Sequence, residues 1–105
     1  MTALEKVRCL EQYISINNSV VDSVMEITVN KLLARELERI SNLKIRLTDD
    51  ISAFEKQYRL KSDDFLHRYE TGALGDLTDF AEWSATLEML ANVNRQSALL
   101  EASVD

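Results

Sequence analysis

Apolar residues near the start of the chain recur at the spacing of one helix face. Leu4, Val7 and Leu10 follow each other at three-residue intervals, and Tyr13 or Ile14 continues the stripe. This spacing is typical of an amphipathic helix. The polar run Asn17-Asn18-Ser19 then favours a turn followed by a helix cap. The pattern predicts an N-terminal helix over residues 2–14 and a second helix that begins with Ser19 as its N-cap and Asp22 in the capping-box position.

Nothing in the following 40 residues would end that second helix. Residues 19–59 contain no glycine, proline or polar cluster, and a helix of this length would extend about 60 Å. Its second half has apolar positions that alternate at spacings of four and three, interrupted by Lys44, which is the pattern of a helix packed lengthwise against other helices. We therefore expect a dimer or larger homo-oligomer. The predicted self-association seam consists of Leu33, Leu37, Ile40, Leu47 and Ile51.

The first half of the long helix has a different apolar face. Its valine-rich run is turned by roughly a third of a revolution from the later seam at 100° per residue. Two interpretations stay open: the helix breaks near Asn30, or one continuous helix meets different neighbours in its two halves. The same run could form a strand, but a lone strand would have no partner elsewhere in the chain.

The C-terminal part is predicted to form two further helices over residues 62–100. The first starts at Ser62-Asp63-Asp64, a side-chain cap followed by two acids, and ends at Gly72. The last helix has Asp79 and Glu82 as its capping box. We predict an aromatic clasp that holds these helices against the end of the long helix. The residues of this predicted clasp are Phe54, Tyr58, Phe65 and Trp83.

The composition restricts the fold class further. The chain of 105 residues has no proline and only two glycines, which is too little turn chemistry for an all-β protein. The prediction is an all-α fold in a single domain, residues 1–105. One long helix would carry a short N-terminal helix and two packed C-terminal helices, and oligomerisation would complete a helical bundle.

The net charge and its distribution along the chain indicate which kinds of partner the protein could bind. The net charge of −6 argues against a general nucleic-acid binder, which has to neutralise phosphates. Residues 31–61 nevertheless carry eight basic and five acidic residues, whereas residues 62–105 carry two and nine. Four basic residues of the long helix lie within an arc of roughly 80° around its axis and form a basic stripe. This stripe is a candidate site for an acidic partner, although a stripe of this kind is commonly only the solvent-exposed side of a helix. Its members are Lys31, Arg35, Arg39 and Arg46.

The sequence contains few residues that could form a catalytic or metal-binding site. His67, with Asp63 and Glu70, could place three metal ligands on one helix face, but zinc sites usually draw on more than one His or Cys, so a polar face is favoured. Cys9 lies among apolar residues and is expected to be a core residue. We predict no enzymatic activity, no cofactor and no metal. No stretch reaches the roughly 20 apolar residues of a membrane span, so we expect a cytoplasmic protein.

One segment has a family resemblance. The matching residues are Phe54-Glu55 with Tyr58, then Phe65, then Gly72, Leu74, Gly75 and Asp76, and finally Trp83. The segment resembles small helical antitoxin-like proteins of prokaryotic toxin–antitoxin modules. In that group a glycine is common just after the position of Tyr58, where Arg59 stands here. The resemblance implies a non-catalytic protein–protein interaction module that binds and masks a small toxin. The alternative is a structural coiled-coil or adaptor protein with no toxin partner.

Overall fold

A computed structural model of the chain describes residues 1–16 and 21–103. Four helices account for the regular structure of these residues: α1 (Ala3–Ile16), α2 (Ser23–Tyr58), α3 (Ser62–Glu70) and α4 (Thr78–Glu101). The described residues contain no strand, so the predicted all-α class is confirmed. Completion of a bundle by oligomerisation stays a prediction, as does the single domain.

The first two helices begin with side-chain caps. Thr2 Oγ1 accepts the backbone N–H of Glu5 at 3.1 Å, and Glu5 Oε1 accepts the N–H of Thr2 at 3.3 Å. This reciprocal pair is a capping box, which precedes the apolar stripe of α1. The predicted cap Ser19 lies outside the described residues. Instead, Asp22 Oδ1 accepts the N–H of Met25 at 2.8 Å, and this carboxylate caps α2.

The long helix is continuous through Asn30 and ends at Tyr58. The interpretation with a break at Asn30 is therefore wrong, and the strand alternative is wrong from Ser23 onward. The described chain divides into two compact units, Met1–Ala34 and Arg35–Asp105. The first unit contains α1 and the beginning of α2, and none of its described residues is buried.

The second unit has a core between α2 and α4. Ile40, Leu47 and Val93 are buried in one cluster, with Leu43, Leu90 and Leu100 packed against it. Ile40 and Leu100 line a common groove at one end, and the rings of Phe54 and Trp83 stack at the other. The two helices therefore run antiparallel. The apolar spacing of α2 is satisfied here by α4 of the same chain.

Left-handed residues end α2 and α3. Gly72, with φ 79°, follows α3, where the N–H of Ala73 donates to Arg68 O and the N–H of Gly72 donates to Tyr69 O. This is a Schellman motif with glycine in its usual place, as the sequence predicted for Gly72. Arg59, with φ 52°, occupies the same place after α2, where the N–H of Leu60 donates to Glu55 O at 3.2 Å.

Candidate interaction surfaces

An aromatic cluster joins the end of α2 to α3 and α4. Phe65 and Trp83 have no exposed surface, and their rings stack with centroids 3.8 Å apart and planes 5° from parallel. Phe54 stacks on the same Trp83 ring at 5.7 Å, and Tyr58 lies 6.1 Å from it. Phe80 completes the buried set. The four residues of the predicted clasp therefore lie in one cluster, in which the other three rings are each within stacking distance of Trp83.

Hydrogen bonds link Glu55, Ser62 and Trp83 at the side of this cluster next to α3. Ser62 Oγ accepts a hydrogen bond from Trp83 Nε1 at 3.2 Å and donates one to Glu55 Oε2 at 2.9 Å. The same carboxylate oxygen accepts the backbone N–H of Ser62 at 2.9 Å. The prediction that Ser62 caps α3 with its own side chain is wrong, because Ser62 is already the first helical residue and Lys61 is the N-cap without a side-chain bond. Glu55, from α2, satisfies this helix N-terminus instead.

Hydrogen bonding changes the acidity of Glu55. The backbone N–H of Ser62 is the main cause that lowers its pKa, and the Ser62 hydroxyl and the charge of Lys61 act in the same direction. Partial burial opposes them. Because these donors favour the charged form, the carboxylate stays ionised to lower pH than an ordinary glutamate.

Asp79 connects α4 to the end of α2. The capping-box prediction for Asp79 is wrong, because α4 begins at Thr78 with Leu77 as its N-cap and has no side-chain cap. The Asp79 carboxylate accepts a hydrogen bond from the Tyr58 hydroxyl and another from Gln57 Nε2 at 3.4 Å. The bond to Asp79 raises the pKa of the Tyr58 phenol, and desolvation adds to the effect.

Three residues of the predicted self-association seam are buried within the chain. Ile40, Leu47 and Ile51 are 8%, 3% and 8% exposed, whereas Leu33 and Leu37 are half-buried and Lys44 is exposed. Val93 of α4 packs against Ile40 and Leu47. These side chains leave few apolar atoms for a second copy to cover. The role of the seam in self-association stays a prediction.

The four residues of the predicted basic stripe are exposed. Arg35, Arg39 and Arg46 lie in the second unit and Lys31 lies in the first. Arg39 Nε lies 3.5 Å from Glu36 Oε2 on the protein surface, and such an exposed pair contributes little to stability. The guanidinium groups therefore remain accessible to an acidic partner, and whether they bind one stays a prediction.

A groove continues the arginine face of α2 toward its C-terminal end. Arg39, Arg46, Asp50 and Gln57 succeed one another at spacings of seven, four and seven, which place them on one helix face. The groove beside this face has a volume of about 490 Å³. Its walls are Asp50, Ala53, Phe54 and Gln57 of α2 and Glu82, Ala85 and Thr86 of α4. Two carboxylates beside an aromatic edge suit a cationic or amphipathic side chain of a partner.

The first unit exposes apolar side chains on both of its helices. Eleven large apolar residues between Met1 and Leu32 are 37 to 86% exposed. Cys9 is also exposed, so the prediction that it is a core residue is wrong, because this unit buries no residue. The sequence showed the apolar spacing of α1, but spacing alone does not indicate how exposed these side chains are in the folded protein.

The residues considered for a metal site do not come together in the described structure. His67 is exposed on α3. Among residues 1–16 and 21–103, no three His, Cys, Asp or Glu side chains come together in a group that could hold a metal ion. No helix within these residues is long and apolar enough to cross a membrane.

No family model, curated protein or solved structure matches this chain.

Proposed function

We propose that this chain is a non-catalytic protein–protein interaction module of the antitoxin-like kind, which binds and masks a small protein toxin. The observation that carries the proposal is the exposed face of α2 in the second unit, with Arg39 and Arg46 at one end and the groove of Asp50 and Glu82 at the other. Arginine and aromatic groups held on rigid elements are typical anchors of protein interfaces.

The rigidity of this face follows from the packing behind it. Leu47 is buried against α4, and the stack of Phe54 on Trp83 fixes the end of the helix. A partner that binds α2 here would not have to order a mobile segment, so less conformational entropy is lost on association.

The antitoxin-like part of the proposal rests on the resemblance of the segment from Phe54 to Trp83. Its aromatic residues form the cluster beneath the groove, and Phe54 itself lines the groove. The resemblance and the candidate contact surface therefore involve the same part of the protein.

The charges define the expected partner. Arg39 and Arg46 would meet acidic groups, and the carboxylates of Asp50 and Glu82 would meet a basic or amphipathic side chain at the other end. A toxin with both charges on one surface would bind in a single orientation, because the reversed orientation would place like charges together. We also propose that the protein self-associates as a dimer or larger oligomer.

The test is co-expression with the product of the adjacent reading frame in the native genome. We expect the neighbour alone to arrest growth, and this protein to restore growth and to co-purify with it. A neighbour that is not toxic, or a toxic one that neither forms a complex nor is neutralised, would contradict the antitoxin-like role and favour a structural adaptor.

Charge-reversal variants test the contact surface within the same assay. We expect Asp50→Lys and Arg46→Glu each to weaken the complex about tenfold or more, since each places a like charge against the partner. The matched controls are Asp49→Lys, adjacent on the helix but turned by 100°, and Lys44→Glu. A complex that tolerates all four changes equally would place the toxin-binding surface elsewhere.

A further inference from the structure

The residues of the first unit cannot form a core of their own. The unit of 34 residues has no buried residue among those described, and chains below about 40 residues usually need a disulfide, a metal or oligomerisation to fold stably. Cys9 is the only cysteine and is free. An α1 of 14 residues is also marginal as an isolated helix in water. The apolar side chains of these helices are therefore not covered within the unit itself.

The geometry of α2 shows how much cover is needed. Ile27 and Val29 are 54% and 44% exposed, and side chains two residues apart on a helix point about 200° apart. Val24 and Leu32, also more than half exposed, lie in the arc between them. Because one packed neighbour covers an apolar stripe of about 100°, this part of α2 has apolar surface for more than one helix.

We propose that the surface formed by residues 1–34 is the self-association site of this protein and is covered by the same residues of a second copy. This inference deepens the proposed self-association and is independent of the antitoxin-like role. Of the predicted seam, this surface includes only Leu33. Ile40 and Leu47 are already covered by α4, so the contact moves to the exposed faces of α1 and the start of α2.

The exposed area fits a homodimer. A large apolar side chain offers roughly 100 Å² of apolar area, so eleven residues that are on average somewhat more than half exposed offer roughly 600 Å². A standard interface buries about 800 Å² per partner, and homodimer interfaces are about 65% apolar. That composition requires about 500 Å² of apolar area from each copy, which is slightly less than the area available here.

The charges favour a second copy over a lipid surface. Residues 1–34 carry three basic and four acidic residues, whereas residues 35–105 carry nine and fourteen. In α1 the two signs are interspersed as Glu5, Lys6, Arg8 and Glu11, so a two-fold arrangement can place opposite charges together across isologous contacts. A lipid surface would select a polar face rich in Lys and Arg, which this near-neutral unit does not have.

The test is sedimentation equilibrium of the full chain over a range of concentrations, with a matched pair of variants on α1. We expect the wild type to sediment at twice the chain mass of 12.0 kDa. Leu10→Glu should raise the dimer dissociation constant about tenfold or more, because it places a carboxylate in the apolar interface. Gln12→Glu adds the same charge on a face turned by 200° and should leave dimerisation unchanged.

A spin label on Cys9 gives a second, position-specific measurement. Cys9 is exposed and free, and it lies 100° around the helix from Leu10. Labels on two copies should give a defined interspin distance by pulsed electron resonance. This distance should disappear in Leu10→Glu, whereas the fluorescence of Trp83, which is buried in the second unit, should stay unchanged.

Three outcomes would overturn the inference. A monomeric wild type at all concentrations would remove self-association altogether. A dimer that Leu10→Glu and Gln12→Glu affect equally would assign the interface to another surface. A dimer lost only in Leu37→Glu would return it to the predicted seam. None of these outcomes bears on toxin binding, which the Asp50→Lys and Arg46→Glu variants test separately.

Discussion

Replacing Arg59 by glycine should stabilise the second unit. Among the described residues, Arg59 is the only non-glycine residue with positive φ. The left-handed conformation costs an L-residue about 1–2 kcal/mol, because the Cβ atom approaches a carbonyl oxygen. Glycine adopts it without this cost and is the usual residue at this position of a Schellman motif.

The expected gain is smaller than the strain removed. Glycine also increases the conformational entropy of the unfolded chain, which offsets part of the gain. The Arg59 side chain is exposed, so its removal forfeits little burial. We expect Arg59→Gly to increase the free energy of unfolding by about 0.5–1 kcal/mol, which corresponds to a rise in Tm of about 2–8 °C for a domain of this size.

Urea unfolding followed by Trp83 fluorescence measures this change. Trp83 is the only tryptophan and has no exposed surface, so its emission reports the loss of the second unit's core. The midpoint should rise at constant slope. Arg59→Ala keeps the left-handed cost and should stay within about 0.5 kcal/mol of the wild type.

The reverse change at Gly72 completes the test. Gly72 has φ 79°, and nothing lies within 4 Å of a Cβ atom added there. Gly72→Ala should therefore lose about 1 kcal/mol through backbone strain alone. An Arg59→Gly variant no more stable than the wild type, or an equal gain in Arg59→Ala, would refute the reasoning.

The remaining predictions use the same unfolding assay. Leu47→Asp should lower the free energy of unfolding of the second unit by more than about 3 kcal/mol, because Leu47 is 3% exposed. Arg46→Asp, at an exposed position, should change the same free energy by less than about 0.5 kcal/mol. Comparable effects would mean that Leu47 is not a core residue. Ser62→Ala should cost about 1–3 kcal/mol, since it leaves Trp83 Nε1 without its acceptor, and an unchanged midpoint would contradict that role of the hydroxyl. Folding lowers the pKa of Glu55 below its unfolded value of about 4.5. The hydrogen bonds from Ser62 to the Glu55 carboxylate therefore stabilise the fold fully above pH 4.5. This stabilisation is lost as the pH falls through the lower pKa of the folded state. Glu55→Gln should therefore reduce the fall in the free energy of unfolding at acidic pH. A variant with the same pH dependence as the wild type would mean that other groups cause this fall.

Local sequence signals located the helices but not all of their caps. Gly72 was predicted to end α3, since glycine is the common residue for a left-handed C-cap, and the structure has it in that conformation. Ser62 and Asp79 were predicted to cap helices, because serine and aspartate commonly do so. Both side chains instead bond residues on other helices, Trp83 and Tyr58, which a local motif cannot indicate.

The amino-acid sequence by itself determined the all-helical class and the apolar positions along α2, because these depend on local propensity and on a periodicity of 3.6 residues. It left open whether α2 continues through Asn30. The tertiary structure decided which neighbour covers each apolar position. The spacing of Ile40 and Leu47 is the same whether the neighbour is α4 or a second copy, so only packing assigned them to the core of the second unit. Val7 and Leu10 follow the same kind of spacing on α1 but are 60% and 43% exposed. The same kind of apolar stripe is therefore a core in one part of this protein and an exposed surface in another.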